Sequence, residues 1–289
     1  MQAKGLGRDR DSDLETLISM RRATGDVLRA IIFALICLVW FGGRPAAAFT
    51  PEDVPNDFRG TFVSCMAKGE SDPVAARDYA EQWLVSDTGG DDYAFYCLAI
   101  WTFHTGDPLR AAEIFERLSE QSGVRDSAYA GEFLRTAGDL YDAAKAPERA
   151  FRAYSKALER NRDLPDLWVD RALVRAELGD YEGTIADLDA ALQLDSENVE
   201  ALVFRGSSFL AADQLDAAAD DALQALLLEP FNIPGLWLRA QIAMVEGDRA
   251  LAIRDLERII ARDQGGFAER AREALEVIVR ATAQKSTLE

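Results

Sequence analysis

The chain has 289 residues, with one histidine, His104, and three cysteines, Cys37, Cys65 and Cys97. A single imidazole excludes metal sites built from several histidines and most acid–base schemes that need a histidine pair. No serine stands in a G-x-S-x-G elbow and no G-x-x-x-x-G-K-[ST] loop occurs, so the usual hydrolase nucleophile and phosphate cradle are both missing. Paired carboxylates could in principle hydrolyse glycosides. With 50 Asp and Glu in the chain, however, any such pair carries little information. The chemistry-bearing residues therefore point away from an enzyme, and no cofactor, metal or small-molecule substrate is expected.

The same acids set the charge. Against 32 Lys and Arg they leave a net charge of −18, a field that repels phosphate backbones and anionic lipid headgroups, so nucleic acid is not an expected partner. Stretches such as 216–222 (DAAADDA) mix acids with apolar residues at helical spacing, as solvated helix faces do. Hydrophobic residues make up 48% of the chain, enough for a substantial core.

The first 48 residues are read apart from the fold. Arg21, Arg22 and Arg29 form a basic start, 30–41 is an apolar run, and Ala46, Ala47 and Ala48 form a small-residue cleavage site before Phe49. That order is a secretory signal peptide. Twelve apolar residues fall short of the roughly 18–20 that span a bilayer. Residues 1–19 are polar and fit no signal, so the true start is expected at Met20, with cleavage before Phe49 and a periplasmic or secreted product. The alternative is an inner-membrane anchor formed by Ala30–Phe41. Cys37 lies inside the apolar run with no small residue directly before it, which argues against lipidation. Export leaves Cys65 and Cys97, an even count that is expected to pair in an oxidising compartment, the alternative being two buried thiols.

What must position these residues is a repeat. Windows 131–164, 165–198, 199–232 and 233–266 align without a gap at a period of 34 residues. Position 4 holds Leu134, Trp168, Leu202 and Leu236; position 8 holds Gly138, Ala172, Gly206 and Ala240; position 15 holds Lys145, Gly179, Asp213 and Gly247. Position 20 holds Ala150, Thr184, Ala218 and Ala252, and position 27 holds Ala157, Ala191, Ala225 and Ile259. A single helical hairpin cannot bury its apolar stripe, so neighbouring hairpins must stack on it.

This pattern resembles the tetratricopeptide repeat. The resemblance implies an all-α fold, a right-handed α-solenoid (superhelix) of stacked helix–turn–helix repeats of 34 residues. The same pattern runs irregularly through 92–130, with Phe95, Ala99, Gly106 and Ala111, and a degenerate first repeat is expected over 49–91, with Gly69 and Pro73 at its turn. Residues 267–289 are read as a capping helix and tail. With a first unit beginning at 55, Cys65 falls at position 11 and Cys97 at position 6 of the next unit. At 1.5 Å per residue that is an axial offset of about 7–8 Å, too far for a relaxed bridge. Either the first repeat has another register or the bridge is absent.

Two positions switch together along the chain. Position 7 is Arg171, Arg205 and Arg239 where position 23 is Asp187, Asp221 and Asp255; in the window at 131 both become alanine, Ala137 and Ala153. The joint change predicts that the two touch as a register-fixing ion pair. The alternative is an arginine ladder for an anionic ligand.

The resemblance also implies a concave groove lined from positions 2, 5, 9, 12 and 13. On this chain the apolar members are Tyr93, Tyr96, Ile100 and Phe103, then Val169 and Leu173, Val203 and Leu210, and Trp237 and Met244. Glu132, Arg135, Asp139 and Asp142 give an acidic middle, and the basic clamp for a peptide carboxylate found in chaperone-binding members is missing. The function implied is an exported scaffold that binds a protein or peptide through the groove without catalysis. The alternative is a structural solenoid of an envelope assembly, or one that self-associates, with the groove unused.

Overall fold

The computed structural model describes residues 49–286 apart from 87, 122, 126 and 264. The expected signal segment, the start at Met20 and Cys37 lie outside the described residues. Helices account for the regular structure: α1 (Asn56–Ser71), α2 (Pro73–Val85), α3 (Asp91–His104), α4 (Pro108–Leu118), α5 (Tyr129–Ala143), α6 (Pro147–Arg160), α7 (Pro165–Glu177), α8 (Tyr181–Leu194), α9 (Val199–Ala211), α10 (Leu215–Leu228), α11 (Ile233–Glu246), α12 (Arg249–Arg262) and α13 (Gly266–Ser286). No strand occurs among the described residues. The chain divides into two compact units, an N-terminal one ending at Val174 and a C-terminal one beginning at Arg175.

Local chemistry sets where each helix starts and turns. The carboxylates of Asp72, Asp107, Asp180 and Asp248 accept hydrogen bonds from the backbone N–H groups of Ala75, Arg110, Gly183 and Leu251, capping α2, α4, α8 and α12. Asn198 and Asn232 cap α9 and α11 in the same way. Between the two helices of a hairpin the backbone passes through the left-handed region, at Gly106, Gly179 and Gly247 without a Cβ penalty. Lys145 and Asp213 take the same conformation at φ 58° and 64°. The repeat position, rather than the residue type, dictates the turn.

In the N-terminal unit, consecutive helices from α1 to α6 pack on one another, and α1 also touches α3. One apolar core runs from Phe49 and Val54 through Phe62, Trp101, Phe115 and Phe133 to Leu158 and Leu167. The helix α3 is buried from Ala94 to Thr102, which is why its sequence is apolar all round rather than striped. Polar links tie α4 to α5 and α6: Glu116 accepts from Lys156 Nζ at 2.6 Å and from Tyr141 Oη at 2.9 Å. Burial pushes the Glu116 carboxyl up, but these two hydrogen bonds and the charge of Lys156 hold it below its ordinary value.

The first repeat departs from the expected register. Its first helix is 16 residues long and Gly69 lies inside it, not at the turn, because the Trp101 ring occupies the space where a Cβ would stand. The turn is at Asp72. Cys65 therefore stands six residues before the end of α1, and Cys97 seven before the end of α3. This leaves an offset of about 1.5 Å instead of the 7–8 Å implied by a start at 55. The two cysteines are joined as a disulfide with Cα atoms 6.5 Å apart, both fully buried.

In the C-terminal unit, α8 to α13 pack in chain order, and α9, α11 and α13 also touch in sequence. Its core includes clusters around Leu202, Val203 and Ala225, around Leu210, Ala218 and Leu238, and around Leu236, Leu256 and Ile259. The small residue at position 8 is needed for this packing. A Cβ on Gly206 would lie 2.7 Å from Leu238 and 3.1 Å from the Asp221 Cβ. The helix α13 packs on α11 and α12 where a further repeat would otherwise continue.

Candidate functional site

The residues assigned to the groove sit on the first helix of each hairpin. In the N-terminal unit, Tyr93 and Tyr96 on α3 face Tyr129 and Phe133 on α5, with Phe62 of α1 beside them. Phe49, from the segment preceding α1, enters among these rings. Its centroid lies 5.0 Å from Tyr93, 5.3 Å from Tyr96, 4.9 Å from Tyr129 and 5.3 Å from Phe133. The interplanar angles, 58–77°, are tilted to edge-on, the arrangement in which aromatic quadrupoles attract. Tyr93 stays half-buried, and its phenol is pushed up by burial first and then by the carboxylates of Asp92 and Asp53. It is therefore neutral across the physiological range.

Farther along α3, Ile100 is buried and Phe103 half-buried. His104 is exposed, with its ring 5.1 Å from Trp101. Val169 and Leu173 on α7 are buried. Between these apolar stretches lies the acidic middle. Arg135 Nε on α5 reaches Asp170 Oδ2 at 3.3 Å, and the Asp170 side chain is 1% exposed. Tyr154 donates its hydroxyl proton to Asp139 at 2.8 Å. Burial, and then the charges of Asp139 and Asp170, raise the Tyr154 phenol well above its ordinary value. Burial raises the Glu132 carboxyl, against the opposing charge of Arg135. Three carboxylates thus surround one guanidinium.

In the C-terminal unit, Val203, Leu210 and Trp237 are buried, whereas Met244 is half-buried. Trp237 is covered by α13: Phe267 lies 6.2 Å from it and the Arg270 guanidinium carbon stacks 4.6 Å over its ring. The expected ion pairs occupy the other side of the first helices. Arg205 holds Asp221 with two contacts, Nε–Oδ2 at 2.9 Å and Nη2–Oδ1 at 2.6 Å. Its Nη1 reaches Asp189 at 2.7 Å. Arg239 grips Asp255 at 2.7 and 2.8 Å. Hydrogen bonding to Asp221 chiefly raises the hold of Arg205 on its proton. Arg171 and Asp187 fall in different units. Within its own, Arg171 stacks on Trp168 at 5.0 Å and donates to Ser155 Oγ at 3.3 Å, while Asp187 pairs with Arg175 at 2.9 Å. A cavity of about 270 Å³ opens beside the Arg205–Asp189 pair, with Leu192, Leu202 and Gln224 in its wall.

Sequence reading missed Phe49 and Tyr129 as members of the aromatic cluster. Phe49 belongs to no repeat, and Tyr129 falls in the insertion before the regular block. The spacing of Tyr129 and Phe133, one helical turn apart, was the available signal. Among the described residues no group of three or more His, Cys, Asp and Glu is placed to hold a metal, and no helix is long and apolar enough to cross a membrane.

Stacked hairpins of this length, with small residues where helices cross, define an all-α solenoid of the tetratricopeptide-repeat type. Among solved structures, residues 41 to the end of MamA from Desulfovibrio magneticus RS-1 align with a TM-score of 0.53 at 15% identity, covering 62% of this chain and 99% of that one. YrrB, described as a tetratricopeptide-repeat protein with an unusual peptide-binding site, aligns with a TM-score of 0.52 at 17% identity, covering 67% and 97%. At these identities the likeness is one of fold. No model of a known protein family matches the sequence.

Proposed function

We propose that the chain is a non-catalytic scaffold that holds a partner protein or peptide on the face formed by the first helices of its hairpins. The observation that carries this reading is the convergence of aromatic rings from α1, α3 and α5 beside an acidic patch of three carboxylates around Arg135. A solenoid that needed only to stack would bury apolar residues there or solvate them. Here Tyr93 and Tyr129 instead stay half-buried at the edge of the cluster, beside the carboxylates of Glu132, Asp139 and Asp170 gathered around Arg135. This face suits a segment that carries apolar and basic side chains. That a solved structure of the same fold carries a peptide-binding site supports the reading. We place the protein outside the cytoplasm, by way of the signal segment at 20–48. The buried Cys65–Cys97 disulfide supports that placement, since such bonds persist in oxidising compartments.

Crosslinking in the producing cell, followed by recovery of the chain, tests the proposal. Tyr93→Ser and Glu132→Lys, both at half-buried positions, are expected to cut recovery of the crosslinked partner about tenfold while thermal melting stays within a few degrees. Undiminished recovery by both folded variants overturns the groove. A second reading, self-association, is favoured by one observation: Leu223, Leu227 and Phe231 stand exposed on and after α10. It requires a concentration-dependent dimer in sedimentation that Leu227→Glu abolishes.

A further inference from the structure

Phe49 sits among the aromatic rings of α3 and α5. It precedes the first helix, belongs to no hairpin, and still contributes a buried ring to the first-helix face. The residues that tether it, Thr50 to Asp53, are exposed and form a short turn. Thr50 donates through its N–H and hydroxyl to Asp53 at 2.9 and 2.6 Å. The rings that meet Phe49 come from two helices, α3 and α5, that hold one another without it, with Phe62 of α1 behind them: Tyr96 lies 5.8 Å from Phe133, Phe133 lies 5.9 Å from Tyr129, and Phe62 lies 6.2 Å from Tyr96. Each of those rings is anchored on a helix of a stacked repeat. Removing Phe49 therefore leaves a standing, ring-lined socket rather than a collapsed core.

We infer that this socket, walled by Tyr93, Tyr96, Tyr129 and Phe133, is the binding site for an aromatic side chain of the partner segment, and that Phe49 fills it in cis as a tethered competitor. The chemistry of the occupant is read from the one now present: a phenyl ring meeting several aromatic neighbours edge-on and tilted. The inference rests on the proposed use of the first-helix face and says which side chain that face takes. A competitor on a tether of a few residues acts at an effective concentration in the millimolar range. A partner must outcompete it, so its apparent affinity is lowered by the fraction of chains in which the socket is filled. Binding is thereby restricted to segments that present an aromatic residue with further contacts along the acidic face.

The test uses the chain as the cell produces it and the acetylated, amidated hexapeptide FTPEDV, a copy of residues 49–54, as probe. Calorimetry is expected to show binding to the Phe49→Ala variant at least tenfold tighter than to the unaltered chain, and none for the peptide ATPEDV. A folded Phe49→Ala variant that takes up neither peptide at millimolar concentration overturns the inference and makes Phe49 plain core. Should the alanine variant not fold, Phe49→Leu, a looser plug, is expected to bind the probe more tightly than the unaltered chain does, and equal binding overturns the inference. Failure of the broader proposal reads differently: Phe49→Ala would bind the probe while crosslinked partners remained indifferent to Tyr93→Ser and Glu132→Lys.

Discussion

At the scale of single residues, the ion pairs show what a sequence can disclose by internal comparison. Positions 7 and 23 change together among the windows, and Arg205–Asp221 and Arg239–Asp255 meet as bidentate pairs. The further partner of Arg205, Asp189, was not legible. Its position holds Ser155 in the preceding window and Leu223 in the following one, so no pattern marks it, yet Ser155 receives Arg171 just as Asp189 receives Arg205. Asp221 and Asp255 are nearly or wholly inaccessible, and a buried carboxylate left without its guanidinium is costly. Arg205→Ala and Asp221→Ala are each expected to cost about 3 kcal/mol, and the double variant about 2 kcal/mol less than their sum. Urea denaturation of the four proteins measures this. Additive losses would mean that the two side chains act separately.

At the scale of elements, the helices of the regular block were readable because their signals recur. Asn198 and Asn232 end their windows and cap the helices that follow, at 199 and 233, the first positions of the next windows. The first repeat was misread because its turn, at Asp72, lacks the left-handed residue that the other hairpin turns carry, and because Gly69 looked like a turn residue when it is a packing residue beneath Trp101. A local breaker signal and a close-approach signal are the same letter in a sequence. The turn between α9 and α10 lacks both the glycine and the cap, as the turn at Lys145 and Ala146 also does. Asp213 adopts the left-handed conformation at φ 64° and Gln214 offers α10 no side-chain cap. Asp213→Gly is expected to stabilise the chain by about 1 kcal/mol by removing the Cβ clash, less the entropy that glycine adds to the unfolded state. Gln214→Asp supplies the missing acceptor and is expected to contribute about 1 kcal/mol. Each is measured singly by thermal melting, and a fall in melting temperature for either would mean that the turn conformation, not the residue, is already relaxed.

At the scale of the whole molecule, the fold was legible and the partner was not, for a physical reason. The side chains that would touch a partner are drawn from the same apolar set that stacks the hairpins. Tyr96, Val169, Val203 and Trp237 are all nearly buried in the chain by itself, so position alone does not separate contact from core. The N-terminal end shows the consequence for stability. A terminal hairpin in a stacked array has a neighbour on one side only and should open first. Here α1 and α2 form that hairpin, with a departed register and a shortened turn, and the Cys65–Cys97 bond ties α1 to α3 across a sequence separation of 32. Closing a loop of that length removes about 3.7 kcal/mol of freedom from the unfolded chain. Reduction, or the Cys65→Ala/Cys97→Ala pair, is therefore expected to raise amide hydrogen exchange about a hundredfold in α1 and α2, with α9 to α13 unaffected. Because Phe62 on α1 backs Tyr93 and Tyr96 at 6.2 Å, the same treatment should loosen the socket and expose Phe49. If α1 remained as protected after reduction as before it, packing of Trp101 on Gly69 would be what holds the first repeat, and the disulfide would be redundant to the fold.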